Sequence, residues 1–162
     1  MPGRKSADPP SAILAKLRPI CLGLPEAYEE KAWAGTRWMI RKRNFAHAVR
    51  IDQGWPPAYA RAAGTDGPRV VVTLRASGLV YDALRTAGPP FFVAEWGTQW
   101  GTKVVGIAVD DGIDWDEVAM LVTESYRLLA PKSLAADVAP AAVGVRAGRS
   151  RRPTARRGGP AR

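Results

Sequence analysis

Few side chains in this sequence could do covalent chemistry. His47 is the only histidine and Cys21 the only cysteine. A nucleophile–base pair would have to use His47. Its phase with Phe45 and Val49 instead reads as a satisfied strand histidine, and no catalytic partner motif accompanies it. Cys21 falls in the apolar phase of a helix, which predicts a buried structural thiol. A single cysteine excludes an internal disulfide and a cysteine-based metal site. Asp110, Asp111, Asp114, Asp116 and Glu117 gather around Gly112, but not at the spacing of a calcium loop. A helix N-terminus explains the same acids. Gly97 to Lys103, GTQWGTK, lacks the Gly-Lys-Ser/Thr ending of a phosphate loop and reads as a strand connection. The expectation is a chain with no catalytic residues, no metal and no cofactor.

The basic residues carry a different chemistry. Arg37, Arg41, Lys42 and Arg43 crowd one predicted hairpin beside Trp38. Such a hairpin can meet phosphates, and an aromatic can stack on a base. A second group, Arg149, Arg151, Arg152, Arg156 and Arg157, lies near the C-terminus and reads as a polyanion-binding arm. Seven arginines and no acids between Arg146 and Arg162 account for most of the net charge of +9. Pro9 to Val145 holds 15 basic and 14 acidic residues, so the body is almost neutral. Six tryptophans are many for 162 residues, and most should anchor the core or loops.

These residues need elements to position them. Residues 1–10 are polar and proline-punctuated and are expected to be disordered. Ser11 is placed to cap a helix with Ile13, Leu14, Leu17, Ile20 and Cys21 on one face, and Pro19 should kink or end it. Thr36 to Ile51 alternates as a hairpin, with Trp38 and Ile40 on one side and Arg41 to Asn44 as its turn. Gln53 to Pro68 reads as a long loop. Val70 to Leu74 is a strand, Ser77 to Thr86 a helix, and Phe91 to Trp96 and Lys103 to Val109 two more strands. Asp114 caps a last helix with Val118, Leu121, Val122, Ser125 and Leu129 inward, stopped by Pro131. Residues 140–162 should be a disordered arginine-rich tail. The sum is one α+β domain over residues 11–139. A mostly antiparallel sheet of about five strands is covered by helices, in the order α-β-β-β-α-β-β-α.

Several stretches match one family pattern. Cys21-Leu-Gly-Leu-Pro-Glu26, with Glu29, Glu30, Trp33 and Gly35, resembles the opening of MmcQ/YjbR-like proteins. So does Trp38 to Ala46, where Arg43 stands at a usually basic position. The helix from Asp114 to Lys132 is the most specific part. The resemblance spans Ile13 to Leu134. It implies a frataxin-like α+β fold, described as a double-wing DNA-binding architecture. It supplies no active site. Arg43 replaces the more usual lysine, and the tail lies outside it. Iron binding of the frataxin kind needs carboxylates on the first helix, and Ala12 to Leu24 contains none.

The function expected is therefore non-enzymatic DNA binding of low sequence specificity, with the tail adding affinity. The alternative is a small ligand- or protein-binding module with no nucleic-acid role. No apolar run reaches the ~18 residues of a membrane span. Cysteine usage and the lack of a secretory signal point to the cytoplasm.

Overall fold

A computed structural model describes residues 6–139 and holds six strands, five of them on the strand-forming runs of the sequence. The strands are β1 (Tyr28–Lys31), β2 (Thr36–Ile40), β3 (Arg43–Ile51), β4 (Arg69–Ala76), β5 (Phe91–Val93) and β6 (Lys103–Val109). All neighbours pair antiparallel, in the order β1-β2-β3-β4-β6-β5. The helices are α1 (Ser11–Leu22), α2 (Pro57–Ala63), α3 (Gly78–Ala87), α4 (Trp115–Leu129) and α5 (Lys132–Ala135). The arginines from Arg149 to Arg157 lie outside the described residues.

One face of the sheet carries the main core. Trp38, Ile40, Ala46, Ala48, Val72, Leu74, Val105 and Ile107 meet Leu17 and Cys21 of α1, Leu84 of α3, and Val118, Leu121, Val122 and Tyr126 of α4. The helical spacing of the α4 residues aims them all at the sheet. The opposite face carries a smaller cluster of Val49, Ile51 and Val71, covered by Ala60 of α2, Trp55, Tyr59 and Phe92. Gly106 of β6 has no side chain because Phe92 occupies its place: a Cβ there would sit 2.1 Å from the ring.

Several details differ from the sequence reading. The sheet gains an edge strand, β1, whose polar Tyr-Glu-Glu-Lys run has no apolar alternation to announce it. The stretch expected as one loop contains α2, opened by Pro57 at its first turn and closed by Gly64 at φ 72°. Ser11 does not cap α1; Pro10 precedes the helix with no side-chain cap, and Pro19 lies inside it without ending it. Residues 6–10, expected to be disordered, make contacts: Ala7 is buried and its carbonyl accepts from Arg50 N at 2.8 Å.

Phe45 also leaves its expected phase. Trp38 pairs with Ala46 and Met39 with Asn44, so Phe45 is an extra residue in β3. This bulge turns Phe45 into the main core, edge-on to Tyr126, while His47, Val49 and Ile51 keep the opposite face. The β3–β4 ladder stops at Ala46–Leu74. Buried Ser125 of α4 closes the gap: its hydroxyl donates to Phe45 O at 2.7 Å and accepts from Arg75 N at 2.9 Å.

A candidate nucleic-acid interface

Antiparallel pairing brings the β2–β3 turn, the end of β4 and the start of β6 to one end of the sheet. Ile40 pairs with Arg43, so the turn is only Arg41 and Lys42. Both have positive φ, 51° and 67°, the geometry of a two-residue hairpin turn that suits strand twist. The turn is thus shorter than Arg41 to Asn44, and Arg43 already belongs to β3.

Arg75 lies between Leu74 and Ala76, which face the main core, so its side chain points to the other face. Its guanidinium donates to Gly97 O, and more weakly to Thr102 Oγ1 at 3.4 Å and Gln99 Oε1 at 3.3 Å. It lies over the Trp100 ring, 4.9 Å from the centroid. Arg43 reaches the same ring from the hairpin, at 5.3 Å. Trp100 is 40% exposed and sits in a short 3₁₀ turn, Gln99–Gly101. Lys103, at the start of β6, lies 5.4 Å over Tyr81.

Ion pairing divides the hairpin cations. Arg37 is paired with Glu30 across β1 and β2. Arg41 donates to Glu26 Oε1 at 2.9 and 3.1 Å. Both charges are therefore largely met within the fold. Lys42 is exposed at the tip. Among the described residues, Arg43 and Arg75 are in no ion pair. Burial lowers the pKa of Arg75, whose partners among the described residues are a carbonyl, a hydroxyl, an amide oxygen and a ring. Sequence reasoning placed Arg43 in the cluster but missed Arg75 and Trp100; Lys103, paired with Ala76, lies on the main-core face over Tyr81. The strand phase of Arg75, opposite to Leu74, was the available signal.

The YjbR family model matches residues 22–128. The chain belongs to the YjbR family. No curated protein and no solved structure matches it. The YjbR region contains Arg43, Arg75, Trp100 and Lys103 together with all six strands.

Elsewhere in the YjbR region, other candidates take structural roles. His47 is buried, with Nε2 at 2.6 Å from Ala34 O and Nδ1 at 2.9 Å from the Tyr59 hydroxyl. The carbonyl can only accept, so Nε2 carries the proton and Nδ1 accepts from Tyr59. Burial lowers its pKa, reinforced by the nearby Arg37 charge, while the Ala34 bond acts the other way. Burial raises the pKa of Cys21 well above the usual thiol range, so the thiolate is scarce. Asp114 caps α4, accepting from the Asp116 and Glu117 amides at 3.0 and 3.3 Å. Glu29 binds α1 to β1: it takes Arg18 in two-pronged fashion and accepts from the Trp38 indole at 2.9 Å. An open cleft of about 830 Å³ lies between α2, β5 and the start of α4, with Arg69, Phe92, Asp110 and Glu117 on its walls. No helix among the described residues is long and apolar enough to cross a membrane.

Proposed function

We propose that this YjbR-family chain is a non-enzymatic, cytoplasmic DNA-binding protein of low sequence specificity. It would hold phosphates with Arg43 and Arg75, with Lys42 beside them at the hairpin tip. The observation that carries the reading is the convergence of two guanidinium groups, from separate strands, over a partly exposed indole, with no ion pair to a carboxylate among the described residues. A partly buried cation is costly without a counter-charge, and a phosphate supplies one in the geometry arginine favours. Phosphate contacts position a protein without reading bases, hence the low specificity. The double-wing architecture implied by the family resemblance supports the same partner.

The tail fits this arrangement. Arg127 of α4 holds the segment after α5 by donating to Ala135 O and Val138 O at 2.7 and 2.6 Å. Ser125, on the same helix end, touches Arg75. Nine residues lie between Ala139 and Arg149, a reach of at most about 35 Å. On this reading the arginine arm adds phosphate contacts of its own.

The test is the salt dependence of duplex binding by fluorescence anisotropy. Each phosphate contact contributes about 0.9 to the log–log slope. The double variant Arg43→Gln/Arg75→Gln should lower the slope by about 2. Arg37→Gln and Arg41→Gln, which remove ion-paired charges, should lower it less. A slope unchanged by the double variant overturns the assignment. The cleft between α2 and α4 favours a second reading, a small ligand- or protein-binding module. A metabolite that raises the melting temperature of a chain unable to bind DNA would select it.

A further inference from the structure

We propose that Trp100 is a stacking platform for an unpaired base, so that this surface prefers single-stranded over duplex nucleic acid. The inference rests on the nucleic-acid reading above and narrows its ligand. Three observations carry it. First, Trp100 is 40% exposed, whereas Trp38, the tryptophan of the main core, is fully buried. Second, Trp100 has φ 60° and ψ 24°, the left-handed region that a bulky side chain rarely adopts. The turn holds it there: Thr102 donates to Gln99 O through its amide at 3.1 Å and its hydroxyl at 2.9 Å, and Arg75 grips Gly97 O. A conformation of this kind persists only where its surroundings impose it, and such positions concentrate at ligand sites. Third, the ring is flanked by the cations of Arg43 and Arg75.

The chemistry follows from nucleotide shape. A base and its own phosphate are separated by one sugar, so a ring bordered by guanidinium groups can take both. An exposed cation–π contact is worth less than a base–aromatic stack. A base can therefore displace a guanidinium from the indole, and the released arginine turns to the phosphate. Bases inside a duplex are already stacked and cannot reach Trp100. Duplex would be held by phosphate contacts alone.

The experiment compares oligothymidylate with a duplex of equal length, by anisotropy at one salt concentration, using the full chain. Wild type should bind the single strand more tightly. Trp100→Ala should weaken single-strand binding roughly tenfold and leave duplex binding almost unchanged. Trp100→Phe should retain most of the single-strand affinity and Trp100→Leu should not, which separates stacking from apolar bulk and from loss of fold. Quenching of tryptophan fluorescence by oligothymidylate should shrink in Trp100→Phe. Equal loss on both probes, or no loss on either, overturns the stacking role while duplex binding stands. Failure of wild type to bind either probe overturns the nucleic-acid reading and this inference together.

Discussion

Ser125→Ala should destabilise the fold far more than the loss of one hydroxyl suggests. Ser125 is fully buried and bridges the two strands where the Phe45 bulge opens the ladder. Alanine leaves the Phe45 carbonyl and the Arg75 amide without their partner. A buried polar group left unsatisfied costs about 1–3 kcal/mol. Two give about 2–6 kcal/mol, and the lower half applies because Arg75 is only partly buried and water can reach its amide. We expect about 2–3 kcal/mol, against a total stability of roughly 5–15 kcal/mol. In urea, with a slope of about 2 kcal/mol per molar, the midpoint should fall by about 1–1.5 M at constant slope. Thr123→Ala is the control. Its hydroxyl donates to Ala119 O at 2.8 Å inside α4, a carbonyl the helix already satisfies, and its loss should stay within about 0.5 kcal/mol. If Ser125→Ala matches Thr123→Ala, the bridge does not sustain the sheet and the reasoning fails.

His47 should make stability pH-dependent. Its folded pKa lies below the ordinary histidine value of about 6.5, so its contribution is complete above that pH and is lost as pH falls below it. The melting temperature should drop between pH 7 and 5, with a slope of at most about 1.4 kcal/mol per pH unit from this group, and His47→Gln should flatten the drop. Glu29→Ala removes the acceptor of the buried Trp38 indole and should cost about 1–3 kcal/mol in urea unfolding; Arg18→Ala, which spares that bond, should cost less. Gly106→Ala forces Phe92 off β6 and should cost about 1–3 kcal/mol by thermal unfolding, recovered in part by Phe92→Leu. Cys21 should resist thiol reagents in the native protein and react fully in denaturant.

The parts of the fold that were legible rest on strong local chemistry. Asp114 announces α4 because its side chain caps two amides, and the Val118 to Leu129 spacing leaves one way to bury the helix. Lys103–Val109 and the β2–β3 hairpin follow from β-branched alternation. β1 escaped because an edge strand can be polar: Glu29 and Glu30 are held by Arg18 of α1 and Arg37 of β2, partners that no local alternation reveals. The Phe45 bulge escaped because the residue that completes it, Ser125, lies 80 positions away. The site was legible in half. Composition exposed the basic hairpin, but not that Glu26 and Glu30 neutralise Arg41 and Arg37. Arg75 and Trp100 meet only through the β4–β6 pairing and the turn before β6.

The most direct test of the central claim separates the folded body from its arm. Binding of labelled duplex and single-stranded DNA is measured across a salt series for the full chain and for a chain ending at Ala139, with polyglutamate as competitor. The account predicts that the shortened chain still binds, with a smaller salt slope, that DNA outcompetes polyglutamate, and that Arg43→Gln/Arg75→Gln weakens the remaining binding and lowers its slope by about 2. Binding by the full chain alone, displaced equally well by polyglutamate, would contradict it and leave the folded domain without a nucleic-acid role.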